Sequence, residues 1–197
     1  PAFAGSEAES TKVDFVLLLP RLQSPDRLSI QSLRSNPNNA MQELMPPPLM
    51  IRPMTSADAP AAASLSEQLG YVPLLPALIA DRLASFAFSQ DHGCYVAERD
   101  EHILGWVDVF SVHMLVSPCF FAEIGGLVVG LAERRQGIGR ALVAQAELWA
   151  AEHGYTEVRL RSGLHRTDAH EFYQSVGYEI AKTSHMFRKK LSAEPSS

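Results

Sequence analysis

Leu127-Val128-Val129-Gly130-Leu131-Ala132-Glu133-Arg134-Arg135-Gln136-Gly137-Ile138-Gly139-Arg140, continued by a helical run to Trp149, is the stretch from which the rest of the chain can be read. An apolar strand ends, a short turn follows, and glycines open a helix. The physics of such a junction is anion binding. Gly137 and Gly139 carry no side chains, so backbone N–H groups can close on phosphate oxygens while the helix dipole favours their charge. Arg134, Arg135 and Arg140 add cationic donors at the same end. Ile138, Leu142, Ala146 and Trp149 recur at helical spacing and form one core-facing stripe. Two other phosphate-binding patterns are excluded on detail. A mononucleotide loop needs Gly-x-x-x-x-Gly-Lys-Ser/Thr and a dinucleotide site needs Gly-x-Gly-x-x-Gly, and neither is present.

Outward from this junction the punctuation is regular. Residues 50–53 read as a short strand, and Thr55-Ser56-Ala57-Asp58 is a capping-box start for a helix ending at Gly70. A second helix fits 75–88. Residues 94–99 and 103–112 read as strands joined by the polar turn Asp100-Glu101-His102, and 121–129 as a third long strand. The helix from 137 stops at Gly154. Residues 157–161 form another strand, 168–175 a short helix before Gly177, and 178–190 a closing pair of strands. The order β-α-α-β-β-β-α-β-α-β-β is α/β, with one sheet covered by helices on both faces.

Residues 1–48 lack a sustained period and are rich in Pro, Ser and Asn, ending in Pro46-Pro47-Pro48. They are expected to form a poorly ordered extension, because such a stretch buries too little apolar surface to offset its ordering entropy. The chain starts at Pro1, and Met50 is the expected start of the folded part. With 17 Lys and Arg against 22 Asp and Glu, the balance argues against a general binder of nucleic acid or anionic membrane, which calls for a basic surface. Cys94 and Cys119 have neither metal nor redox spacing and read as free thiols of a cytoplasmic protein. No segment reads as a signal peptide or a membrane span. His113, His165 and His170 show no zinc-ligand spacing, so no metal is expected.

The pattern Arg134-x-x-Gly137-x-Gly139 after a Leu-x-Val strand resembles the acetyl-CoA signature of the GNAT superfamily of N-acetyltransferases. A second motif supports this. Arg166-Thr167-Asp168-Ala169-His170-Glu171-Phe172-Tyr173, then Gly177-Tyr178, is similar to the family's Asn-x-x-Ala-x-x-Phe-Tyr followed by Gly-Phe/Tyr, with Arg166 where many members have Asn. The resemblance covers residues 50–190. Within the family the chain is most similar to bacterial small-molecule members such as aminoalkylphosphonate acetyltransferases. The resemblance implies a GNAT-like fold with a single mixed, mostly antiparallel sheet of six to seven strands. The domain would span 49–191, with 192–197 as a flexible tail. It further implies acetyl-CoA as acyl donor, with Leu127, Val128 and Val129 pairing with the pantetheine arm. Arg134, Arg135, Gln136, Gly137, Ile138, Gly139 and Arg140 would hold the pyrophosphate. The acceptor would be a small-molecule amine, with a protein or peptide amine, or a non-catalytic acyl-CoA-binding module, as the alternatives. Family members of this kind resemble homodimers, and the strands at 178–190 offer an edge for one.

An alkylamine, with a reference pKa of about 10.4, must lose a proton before it can attack a thioester. The reaction also needs a donor for the developing oxyanion. The resemblance implies that backbone N–H groups around 127–129 supply it. Gly125-Gly126 in mid-strand points to a bulge or a close backbone approach that opens the pocket. Glu123 is the expected general base. It stands eleven residues before Arg134, the spacing of a catalytic Glu in several GNAT members, and strict alternation would put it on one face with Gly125, Leu127 and Val129. Tyr173, whose counterpart in related enzymes sits near the thioester sulfur, is the expected general acid. Asp108, which breaks the apolar run 106–112, and His113, near that strand's end, are the candidate substrate-binding residues.

Overall fold

The computed structural model describes residues 47–70, 73–115 and 120–190, within the unit Pro47–Ser197. The extension 1–48 (its last two residues apart), Cys119 and the tail 192–197 lie outside the described residues.

Local chemistry sets the first elements. Strand β1 (Met50–Pro53) leads into Thr55, where the expected capping box forms. The Thr55 N–H and hydroxyl both donate to the Asp58 carboxylate, at 2.8 and 3.0 Å. A 3-10 turn at Ser56–Asp58 runs into α1 (Ala59–Ser66), a second at Glu67–Leu69 follows, and Gly70 ends the unit at φ +77°. Arg52 ties the strand to this helix start. It bonds both Asp58 oxygens at 2.8 Å and also reaches Glu98 on the neighbouring strand. The guanidinium holds the Asp58 carboxyl down at about 2 despite its burial. Helix α2 (Pro76–Phe86) opens with proline at its first position, where no N–H is needed.

Strands β2 (His92–Arg99) and β3 (His102–Val112) form a hairpin. Its two central turn residues, Asp100 and Glu101, both have positive φ, the backbone twist that suits a two-residue connection. Strand β4 (Phe121–Val129) pairs antiparallel with β3, and β5 (Val158–Leu160) pairs parallel with β4. The sheet order is β1-β2-β3-β4-β5. The parallel step needs a crossover, and α3 (Ile138–Glu152) supplies it. Its stripe of Ile138, Leu142, Ala146 and Trp149 is buried as expected, packed on Ala97, Val107, Val109, Ala122 and Ile124. Helices α1 and α2 lie on the opposite face, where Phe86 of α2 stacks on His92. Helix α4 (Thr167–Ser175) completes the fold. Among the described residues no helix is long and apolar enough to cross a membrane.

The mixed, mostly antiparallel sheet with helices on both faces is as expected, but it has five strands among the described residues, not six to seven. The expected closing pair at 178–190 is not formed. That stretch is irregular, and Ile180, Met186 and Phe187 are exposed. Alternation makes a strand only where a ladder partner accepts its backbone groups. Here the Tyr178 N–H turns back to the Tyr173 carbonyl, closing α4.

Leu142 is fully enclosed. Leu142→Ala is expected to cost about 3 kcal/mol through lost transfer energy and residual cavity. A urea titration reads this as a lower midpoint at unchanged slope.

Candidate active site

A slip in strand register builds the site. Along β3–β4 the partners run Val107↔Leu127 and Asp108↔Gly126, then jump to Val109↔Ile124, leaving Gly125 as the extra residue of a β-bulge. The ladder with β5 ends at the same point, at Ile124↔Leu160. Beyond it β4 and β5 diverge. The cleft so opened is lined by Ile124, Gly125, Gly126 and Leu127 on one side and by Leu160, Arg161 and Ser162 on the other, with Leu69, Arg166 and Tyr173 at its borders. Burial pushes the Tyr173 phenol up, opposed by the nearby Arg166 charge. From Gly125 onward the edge of β4 that faces away from β3 has no strand partner among the described residues.

The bulge corrects the expected face of Glu123. Strict alternation is broken at Gly125, so Leu127 and Val129 turn toward the α3 core. Glu123 instead pairs with Phe110 and shares its face with Asp108. Its carboxylate is nearly enclosed and lies 3.3 Å from the Arg161 guanidinium at the cleft's edge.

Asp108 sits over the two glycines. A Cβ added to Gly125 would stand 2.7 Å from Asp108 Oδ2 and 2.8 Å from the Phe110 ring. One added to Gly126 would stand 2.7 Å from Asp108 Oδ1 and from the Trp106 ring. Glycine is required at both places for Trp106, Asp108 and Phe110 to lie flat across the bulge. Desolvation lifts the Asp108 carboxyl to about 6, even though its own N–H and that of Gly126 donate to it. Burial, with the Asp108 charge beside it, pushes the Cys94 thiol up to about 12.

At the far end of β4, Gly130 bonds back to Leu104 and a 3-10 turn at Leu131–Glu133 follows. Arg135 and Gly137 both adopt positive φ, and open space lies beyond the missing Gly137 side chain. The first α3 amide that bonds into the helix is that of Ala141, to Gly137, so the amides of residues 138–140 point out of its N-terminus. Arg134, Arg135 and Arg140 are exposed around them. Gln136 accepts a bond from Arg99. Gly139 has a second duty, since a Cβ there would come within 3.1 Å of the Phe172 ring on α4.

Of the residues expected at the donor site, the fold brings Leu127 into one cleft with Tyr173, leaves Arg134, Arg135, Gln136, Gly137 and Arg140 exposed around the start of α3, and buries Val128 and Ile138, with Asp108 and Glu123 beside the cleft. His113 is not brought there. It lies past the far end of β3, tilted against the Phe120 ring and 3.3 Å from the Tyr155 hydroxyl. Trp106, Phe110 and Arg161 were not singled out from the sequence, and Arg166 was noted there only as standing where many members have Asn. The first two were legible as the i−2 and i+2 neighbours of Asp108 on a strand facing two consecutive glycines.

A model described as the Acetyltransferase (GNAT) family matches residues 62–178. The chain belongs to this family. Among GNAT relatives, the aminoglycoside N(6')-acetyltransferase type 1 of Stenotrophomonas maltophilia is 30% identical over 151 residues, which cover 74% of the chain and 95% of that protein. N-acetyltransferase 8 of Rattus norvegicus is 33% identical over 108 residues, 55% of the chain. The match spans only about half of that relative, 49% of its length. Among solved GNAT folds, the aminoglycoside N-acetyltransferase AAC(6')-Iy in complex with CoA superposes with a TM-score of 0.67 over 75% of the chain and 99% of its own, at 18% identity.

An aspartate whose folded pKa exceeds its unfolded value of about 3.9 opposes folding once ionised. Its penalty is absent below pH 4, grows as pH rises toward about 6 and is complete above that. Asp108→Asn is therefore expected to raise stability at pH 7.5 by up to about 3 kcal/mol, with the gain vanishing at pH 4. Chemical denaturation at the two pH values measures it.

Proposed function

We propose that the chain transfers the acetyl group of acetyl-CoA to a primary amine of a small molecule by direct attack on the thioester. The observation that carries this reading is the unpaired β4 edge along the cleft with β5, on a strand that the short Leu131–Glu133 turn joins to the open N-terminus of α3. A long ligand with an anionic end matches that path. Amides and arginines of residues 134–140 would take its pyrophosphate. Backbone groups of 127–129 would pair with its arm, and an N–H there would receive the oxyanion.

In this reading Glu123 removes the ammonium proton, directly or through water. The free amine attacks the carbonyl carbon, the C–N bond forms and the C–S bond breaks. Tyr173 protonates the departing thiolate across the cleft. The relative matched over 95% of its length, an aminoglycoside N(6')-acetyltransferase, supports a small-molecule amine over a protein one. We assign the catalytic unit to residues 49–191, flanked by the segments 1–48 and 192–197, and place the protein in the cytoplasm. The exposed Ile180, Met186 and Phe187 support a homodimer through 178–190. Light scattering at micromolar concentration is expected to give twice the chain mass, and a monomer would refute the dimer.

A CoA-release assay over a panel of amines tests the reaction. At least one small amine is expected to turn over, and release with none of them would overturn the reading. Glu123→Gln is expected to lower kcat/KM about a hundredfold at neutral pH and to recover partly as pH rises and free amine becomes available. Tyr173→Phe is expected to lower kcat without such recovery. Near-normal rates for Glu123→Gln would move the base elsewhere.

A further inference from the structure

We propose that Trp106, Asp108 and Phe110 of β3 form the seat for the acceptor's ammonium group, with Asp108 as the anion that selects a cationic amine. This rests on the acetyltransferase reading but concerns a different group from the proposed base and acid. The three side chains occupy alternate positions on one strand and therefore one face. The ring atoms of Trp106 and Phe110 flank the two carboxylate oxygens directly over Gly125 and Gly126. Those glycines also line the cleft. A side chain at either position would collide with Asp108 and the neighbouring rings, so the double glycine lets the row pack directly against the backbone that lines the cleft.

The chemistry of this row suits one kind of ligand. A carboxylate flanked by two aromatic rings offers an ammonium a charge-assisted hydrogen bond, with ring surface nearby for cation–π contact. Among the described residues Asp108 forms no ion pair, so its charge is not already matched. Trp106 Nε1 is buried without a hydrogen-bond partner. The other ionisable groups on this face are Cys94, paired with Asp108, His92 on β2, Glu123 on β4, Arg52 on β1 with its partner Asp58, and Arg159 and Arg161 next to Glu123. The covering helix α2 carries Asp81 and Arg82, both exposed, α1 carries no charged residue, and the turn after it has the exposed Glu67.

The seat is occupied by charge only when Asp108 is ionised. Cation binding is thus expected above about pH 6 and lost as pH falls through that value. Butylammonium stays cationic from pH 5 to 8, with an ordinary amine pKa of about 10.4, so its pH dependence reports the protein. The test titrates the full chain with butylammonium, following fluorescence of its two tryptophans, since Trp149 is buried in the α3 core. At pH 7.5 a saturable change is expected. It should weaken at least tenfold at pH 5, fail with the neutral 1-butanol, and vanish in Trp106→Phe. Asp108→Asn is expected to weaken binding at least tenfold and to remove the pH dependence, and Asp108→Glu to restore part of both. In turnover, Asp108→Asn is expected to raise KM for the amine far more than it lowers kcat. Wild-type binding by Asp108→Asn, equal binding of 1-butanol, or a pH dependence that persists without Asp108 would overturn the proposal, the last by assigning it to His92 or Glu123. If no amine is acetylated while butylammonium still binds through Asp108, the transferase reading fails and the seat stands.

Discussion

Backbone hydrogen bonding at Gly125 governs what the rest of the chain can do. A strand in the middle of a sheet normally satisfies two neighbours at once, and β4 does so only up to Ile124. The extra residue bends the strand, ends its pairing with β5 and reverses which side chains face the α3 core. One inserted residue therefore creates the cleft, exposes a length of main chain along it and carries Glu123 to the face of Asp108. Glycine at 125 and 126 makes this feasible, because the opposing strand lays two aromatic rings and a carboxylate across the same spot.

The electrostatic layout follows from that bend. Positive groups collect where α3 begins, from three arginines and the open amides of its first turn. Negative groups collect beyond the other end of the unpaired edge, on Glu123 and Asp108. A donor with an anionic end and an acceptor with a cationic one would then be held head to head, each by the charge at its own end. The cost of Asp108's desolvation is met by the β-sheet core around it, which α3 locks in place from the opposite side.

How much of this was readable beforehand divides by the range of the interactions involved. The α3 junction was legible because glycine at positive φ, arginine clustering and the stripe Ile138-Leu142-Ala146-Trp149 are all local. The capping box at Thr55 was legible for the same reason. Gly125-Gly126 announced a bulge, but the residue at which register slips depends on β3, so the face of Glu123 could not be read from β4 alone. The aromatic neighbours of Asp108 gain their meaning only opposite those glycines, across a strand pair. Residues 178–190 show the converse, for their alternation carried a strand pattern but no partner ladder accepts it.

Gly139 is the point where two parts of the molecule share a few ångströms. On one side its bare backbone belongs to the anion-facing turn of α3, and on the other it is the surface against which the Phe172 ring of α4 rests, one residue from Tyr173. Arg140, next in the chain, reaches the Ser175 carbonyl of the same helix. The two helices are therefore tied together at this point. A change of residue at position 139 cannot retune one surface in isolation, because even a methyl group would push the wall of the cleft while altering the turn, which leaves this position little freedom to drift as the family's acceptors diversify.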